Sequence, residues 1–349
     1  MKTIPYAVMT SLSRFLLFLL LALAAAAQAT DFAGPNIIIP IAGRTPGAFG
    51  TEWRTDLVVT NASRSKAVTF GIVFLAAEAS AQLTPVELQP RGTAIYKDIH
   101  LSAFGRAAGA GIIRVGSTSP EALLTARARI YNVGGAQGEY GQIVQGVPAT
   151  KLAKEAYLSA LSGVNGNRTN VGIANPGGTD AEVFISLFER DGAERGGFAT
   201  TIPAFTVRQM NDIFSQFQTG PLDDATIQIT SSRGVYPYAS IVRLDTGDAD
   251  FVAAAAAQID QIDPIVTPAC AKPAPIALAI LPAPGWIVSY NEGVDSASTT
   301  GALAAKYGFT PKDVYSFGFH AELTQATIAA LRCEPTLEIV EQDGYGFFQ

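Results

Sequence analysis

Histidine and cysteine are nearly missing from this chain: two of each among 349 residues, at His100, His320, Cys270 and Cys333. Two cysteines in different segments cannot alone supply a four-ligand zinc site or a dense disulfide scaffold. Two histidines leave at most two candidates for a histidine base. Charge is also sparse, at 15% of residues, and 24 basic against 30 acidic side chains give a net charge of −6. That balance argues against nucleic acid, which calls for a basic face. The 33 glycines and 20 prolines show no collagen-like or linker-like period. No cofactor motif is recognisable, so no cofactor is expected. What remains is a chain that is 48% hydrophobic and long enough for two or three domains with real cores.

The N-terminus carries its own signature. Lys2 and Arg14 precede an apolar run from Phe15 to Ala27, shorter than the about 20 residues of a membrane span. The run ends in Ala27-Gln28-Ala29, the small-x-small pattern of a signal-peptidase site. A buried helix or an anchor is the plain alternative. Residues 1–29 are expected to be a cleaved export signal, which places the protein outside the cytoplasm, secreted or in the periplasm or cell envelope. No integral membrane segment is expected after cleavage, and export permits a disulfide.

The middle of the chain repeats itself. Arg54-Thr55-Asp56-Leu57 followed by Asn61 recurs as Arg168-Thr169-Asn170-Val171 followed by Asn175, at an offset of 114. The same offset carries Thr69–Phe74 onto Val183–Phe188, Asp98-Ile99 onto Asp212-Ile213, and Ile113 and Val115 onto Ile227 and Ile229. Tandem copies are expected at 33–150 and 155–257. Val183, Ile185 and Leu187 alternate, as do Ile227 and Ile229, which indicates half-buried strands. Turn signals fall between them at Asn175-Pro176-Gly177-Gly178, Asp191-Gly192 and Ser232-Arg233-Gly234. Roughly seven short strands per hundred residues suggest an immunoglobulin-like sandwich for each copy. Helical periodicity is weak except at Asp98–Ala103 and Asp212–Phe217.

Three elements in the repeats invite functional readings. The Arg-Thr-Asp/Asn element has a simpler role as a strand start whose side chains satisfy neighbouring backbone or carboxylates. Asp245, Asp248 and Asp250 could approach a calcium site but lack its loop signature, so a solvated acidic turn is expected and no metal is assigned. Ser63-Arg64-Ser65-Lys66 matches a Ser-x-x-Lys nucleophile motif without that motif's other parts. The copies resemble sandwich domains with a Trp-Arg-Thr-Asp-type strand found in exported bacterial proteins, a resemblance that implies no particular activity.

From Gln258 to Pro284 six prolines interrupt any regular element, and 258–284 reads as a semi-extended linker. Beyond Gly285 the pattern is mixed. Trp286–Tyr290 reads as a strand. Asp295 can cap a helix over Ser296–Tyr307, stopped by Gly308, with Thr300, Leu303, Ala304 and Tyr307 on one face. Asp313–Phe319 and Phe319–Leu323 read as strands. Thr324 can cap a helix over Gln325–Arg332 that buries Ile328 and Leu331 and ends before Pro335. Leu337–Glu341 is the last strand. The order βαββαβ is the split βαβ, ferredoxin-like arrangement, here an α+β domain at 285–349. Cys270 and Cys333 form the sole available intrachain pair, with two free thiols as the alternative.

Several runs in this last stretch resemble the subtilisin propeptide and its free-standing inhibitor relatives: Ile287-Val288, Gly293-Val294-Asp295, Ala305-Lys306-Tyr307-Gly308, Val314-Tyr315-Ser316, Leu323-Thr324, Leu331-Arg332-Cys333-Glu334-Pro335 and Val340-Glu341-Gln342-Asp343-Gly344. The likeness covers less than a fifth of the chain. It implies a domain that lays its sheet on two surface helices of a subtilisin-like serine protease. Glu341 and Asp343 would cap those helices, and Gly344, Tyr345, Gly346, Phe347, Phe348 and Gln349 would follow along the cleft. By family spacing Gln349 would occupy the primary specificity pocket, with Gly346 four subsites back. The domain stands last instead of first, and no Asp-Thr-Gly, His-Gly-Thr-His or Gly-Thr-Ser-Met-Ala-type element occurs, so the chain is not itself expected to be a subtilase or another enzyme. His320 reads as a strand residue with a satisfied ring, and His100 similarly. The leading expectation is therefore an exported, non-catalytic inhibitor or chaperone of a subtilisin-like protease. The alternative is an extracellular or envelope binding protein that works through the sandwich pair, with the last module for docking.

Overall fold

A computed structural model describes residues 32–47, 50–76, 80–134, 138–260, 268–280 and 282–344. The expected export signal and the tail Tyr345–Gln349 lie outside the described residues.

Strands dominate. In the first repeat they are β1 (Asn36–Pro46), β2 (Glu52–Asn61), β3 (Val68–Leu75), β4 (Ala81–Gln82), β5 (Val86–Leu88), β6 (Thr93–Tyr96), β7 (Gly109–Gly116), β8 (Leu124–Val133), β9 (Gly141–Gln145) and β10 (Val147–Pro148), with a one-turn helix α1 (Ile99–Ser102). One antiparallel sheet runs β6-β2-β8-β9. The facing sheet runs β10-β1-β7-β3-β4. β1 serves both, because its last residues, Thr45 and Pro46, cross to pair with Trp53 and Glu52. Alternating side chains of the two sheets (Leu57, Val59, Ala126 and Ala128 against Ile37, Phe70, Ile72 and Ile113) fill the space between them, as a sandwich core requires.

The second repeat has β11 (Ala153–Leu161), β12 (Asn167–Asn175), β13 (Ala181–Phe188), β14 (Glu194–Ile202), β15 (Thr206–Met210), β16 (Ala225–Arg243), β17 (Ala249–Ala253) and β18 (Ala255–Ile259), with the short helix α2 (Ile213–Gln216). Its sheets run β14-β13-β16-β11-β18 and β15-β12-β16-β17. Here Ser232-Arg233-Gly234 is no chain-reversing turn. Thr226–Ser231 pair with β13, whereas Tyr236–Arg243 pair with β12. The three residues are the corner at which one long strand changes sheet; the first copy spans the same passage with two strands, β7 and β8.

The offset of 114 is physical. Asn61 Nδ2 donates to the carbonyls of Lys66, Leu88 and Gln89, and its Oδ1 accepts from Ser63 N. Asn175 repeats every bond with Thr179, Ile202, Pro203 and Gly177. Asp98 and Asp212 both take the left-handed conformation, at φ 43° and 48°. Each backbone N–H there donates to the side chain at the third position of the Arg-Thr-Asp/Asn element, Asp56 or Asn170. Thr55 and Thr169 bond the backbone of Gly43 and Ser162. The element is thus a clasp between strand and helix.

The copies meet through Ile38, Val73, Leu75 and Ile112 on one side and Leu152, Ala174 and Tyr236 on the other, with Ile280 from the following segment packed against them. That segment is no free linker. Its described part, 268–280, contributes β19 (Ile276–Ala277) to the last sheet, and Leu278 N donates to Thr118 O of the first sandwich.

The last unit holds β20 (Pro282–Tyr290), α3 (Ser296–Tyr307), β21 (Pro311–Tyr315), β22 (Gly318–Ala321), α4 (Gln325–Leu331) and β23 (Leu337–Gly344). The sheet order is β19-β23-β20-β22-β21. Asp295 accepts from Ser298 N at the start of α3 and Gly308 closes it at φ 71°; Thr324 accepts from Thr327 N at the start of α4. Trp286, Val288, Tyr290, Phe319, Ala321 and Val340 point to one face and pack with Leu303, Ile328 and Leu331 of the helices. Among the described residues no helix covers the other sheet face.

Candidate functional site

The helix-free face is built by period two. Cross-strand pairing sets Ile287 beside His320 and Glu341, Ser289 beside Ile339 and Gly318, and Asp313 beside His320. Glu341 is exposed and Asp343, two residues on, shares its face. His320 lies between two carboxylates: its Nε2 is 3.4 Å from Asp343 Oδ2 and its Nδ1 is 3.6 Å from Asp313 Oδ2. These approaches fall short of hydrogen bonds, and the buried Nε2 has no hydrogen-bond partner. Gly285 makes room for the ring; a Cβ there would stand 2.2 Å from Nε2. Asp343 also accepts from Gly344 N at 2.8 Å, which orients the carboxylate at the strand end.

Of the residues expected to bind a protease, Glu341, Asp343 and Gly344 therefore lie on β23, the first two on the open face, while Tyr345, Gly346, Phe347, Phe348 and Gln349 lie outside the described residues. Sequence reasoning passed over Phe317. It stacks on Tyr315 with ring centroids 5.2 Å apart, and it is 54% exposed. The signal was an aromatic at the end of one strand and another in the two-residue turn, Ser316-Phe317, that follows it.

The other quoted runs hold the unit together. Lys306 Nζ donates to Glu334 Oε1 at 2.6 Å, and Tyr307 hydroxyl joins the same carboxylate. Those bonds hold Glu334 below the usual carboxylate range. Arg332 Nε donates to Ala274 O at 2.7 Å, and Cys333 is bonded to Cys270. Both fasten the proline-rich segment to the end of α4.

Elsewhere, Asp245 forms a two-point ion pair with Arg243, and no group of His, Cys, Asp and Glu among the described residues is arranged to hold a metal. No described helix is long and apolar enough to cross a membrane. Neither histidine has the satisfied ring expected of it: His320 lacks a partner at Nε2, and His100 departs further. It is fully buried, and neither ring nitrogen has a hydrogen-bond partner.

No protein-family profile matches the chain, and no curated protein matches it. Among solved structures it aligns with a calcium-binding mutant of Bacteroides uniformis β-glucuronidase 2 at 9% identity and TM-score 0.17, over 64% of this chain and 28% of that one. It also aligns with the apo form of the Pleurotus ostreatus lectin at 13% identity and TM-score 0.14, over 66% of this chain and 79% of that one. The chain thus spans well under half the length of the glucuronidase. Likenesses of this strength carry no argument about fold or activity.

Proposed function

We propose that this is an exported, non-catalytic protein whose last unit binds a subtilisin-like serine protease and inhibits or chaperones it. One observation carries the reading: a sheet covered by helices on one face presents Glu341 and Asp343 at the end of its last strand on the other face. The strand order, with the fourth of the four main strands at one edge beside the first, then the third and the second, supports a ferredoxin-like propeptide fold. Helix N-termini carry unpaired N–H groups and partial positive charge, so each carboxylate placed there gains about 0.3–1 kcal/mol. In this reading Tyr315, Phe317 and Ile287 supply the apolar contact between them, and Tyr345–Gln349 adds a strand to the protease cleft through main-chain hydrogen bonds.

The test is titration of the full chain against a panel of subtilases. Slowing at micromolar concentration is expected. The E341K/D343K variant should weaken it at least tenfold, as expected when two favourable charges become two repulsive ones, and removal of Tyr345–Gln349 should abolish it. A folded chain that slows none of the panel at micromolar concentration refutes inhibition. A second reading, an envelope binding protein with this unit as a docking module, is favoured by the bond from Leu278 to Thr118 and by Ile280 in the seam between sandwiches. Partners retained by the sandwich pair after removal of 284–349 would favour it.

A further inference from the structure

We propose that the cleft between the two sandwiches binds a small organic carboxylate, clamped by Arg168 and by the amide N–H groups of Gln142, Asn170 and Asn211. The cleft has a volume of about 470 Å³, within the range of small-molecule sites, which favour domain junctions. Both repeats line it, and among the described residues Arg168 is the sole charged side chain that does so. A cation without a neighbouring acid is unexpected in a chain of net charge −6.

Comparison of the two copies shows how that charge became free. In the first copy the equivalent arginine, Arg54, lies 3.5 Å from Glu52 and 3.7 Å from Asp98. Asp56 beside them is bonded by Lys97. At the offset of 114, Glu52 becomes Gly166, Asp56 becomes Asn170 and Lys97 becomes Asn211. Arg44, which bonds both Glu52 and Asp98 in the first copy, becomes Leu158, while Asp98 persists as Asp212. The second copy thus loses two acids and two cations and keeps one arginine and one aspartate. Arg168 has no ion-pair partner among the described residues, and its Nε is buried without a hydrogen-bond partner. Arg54 Nε is likewise buried without a hydrogen-bond partner, so the copies differ in the ion pairs around the guanidinium and not in that donor.

The amides point to the same ligand chemistry. Gln142 Oε1 accepts from Ser240 Oγ, Asn170 Oδ1 from Asp212 N, and Asn211 Oδ1 from Gln209 Nε2. Each amide oxygen already accepts one bond inside the protein, and its two N–H donors remain for the cleft. A site with donors and one cation, and no spare carboxylate, selects an oxyanion. The guanidinium fork matches a carboxylate bidentately. The apolar walls, Trp53 and Val207 among them, fit an organic body and distinguish the ligand from an inorganic anion. This site is separate from the last unit and does not rest on its proposed role.

Calorimetric titration of the full chain with galacturonate, phenylacetate and hexanoate tests the assignment. At least one should bind with a Kd of about 1 mM or tighter. Its neutral amide should bind at least tenfold more weakly, as should the carboxylate to R168Q. R168K, which keeps the charge but loses the fork, should fall between, and Q142L should weaken binding without touching any ion pair. Absence of binding by all three probes, inorganic phosphate binding as tightly as the best of them, or undiminished affinity in R168Q would overturn the proposal. If R168Q does not fold, the neutral amide and Q142L decide the matter, since equal affinity in either comparison refutes it.

Discussion

His100 makes the stability of the first sandwich depend on pH in a window set by its burial. The ring lies at a T-shaped 4.7 Å from Phe74 and 6.3 Å from Phe104 and has no exposure to solvent. Burial pushes its pKa down to about 4; Asp98 opposes this, while Arg106 and Arg44 add to it. The native ring is therefore neutral, whereas an unfolded chain binds a proton near pH 6.5. Between these values the unfolded state holds more protons, so stability is full above pH 6.5, falls with pH, and levels off below about pH 4. The linkage relation gives a loss of about 2 kcal/mol at pH 5 and about 3 kcal/mol by pH 4. Asp56 does not confuse the reading. Burial alone would raise it, but bonds from Lys97, Asp98 N and Tyr131 hold it below 3.8, so its own contribution is lost only at lower pH. The assay is urea unfolding at pH 8, 6.5 and 5, followed by the fluorescence of Trp53, which packs on the same core. In H100L, which keeps the volume without the titrating ring, the loss between pH 6.5 and 5 should vanish. An equal slope in H100L, or a wild-type midpoint unchanged from pH 8 to 5, would refute the reasoning.

Two further outcomes follow from bonds already described. N61A and N175A should each cost about 1–3 kcal/mol, since each leaves one buried and two part-buried carbonyls without the amide that served them. Their effects should add in the double variant because they lie in separate sandwiches; urea unfolding measures both. Replacing Cys270 and Cys333 with serine opens a loop of sequence separation 63, which corresponds to about 4 kcal/mol on the chain-entropy account. A calorimetric scan should show the last unit melting earlier while the sandwich transition stays in place.

The legible parts of the fold were those decided by neighbours in sequence. Asn61 and Asn175 each order the turn that follows them, through the carbonyl four or five residues on and the N–H two residues on, so their spacing survives in the repeat. Asp295 and Gly308 delimit α3 because caps act within one turn. The illegible parts were decided by distant partners. Ser232-Arg233-Gly234 reads as a turn, yet β12 and β13, both far earlier in the chain, draw its two flanks into different sheets. Pro273 and Pro275 read as breakers, but an edge strand needs bonds on one side alone. Pro275 supplies its carbonyl to Val340 N and requires no N–H of its own. For the open sheet face, the acidic pair was legible from alternation, whereas the approach of His320 to Asp343 depends on pairing across three strands.

The cleft was illegible for a different reason: its meaning lies in a difference between copies. Alignment at a fixed offset draws attention to what recurs, and what recurs here is the clasp. That clasp needs only an oxygen at the third position of the element, and aspartate and asparagine both supply one. The position is therefore free to change charge at no cost to the clasp. In the first copy the aspartate stays, ringed by Lys97 and Tyr131, and the nearby arginine lies within ion-pair distance of Glu52 and Asp98, both of which Arg44 bonds. In the second copy asparagine satisfies the same backbone N–H and adds two donors. With Gly166 where Glu52 would be, and with the retained Asp212 forming no ion pair with it, Arg168 has no ion-pair partner among the described residues. One copy thus closes its charges on itself while the other turns them toward the seam. The substitutions that a repeat comparison scores as mismatches are the ones that convert a structural ion cluster into a binding surface.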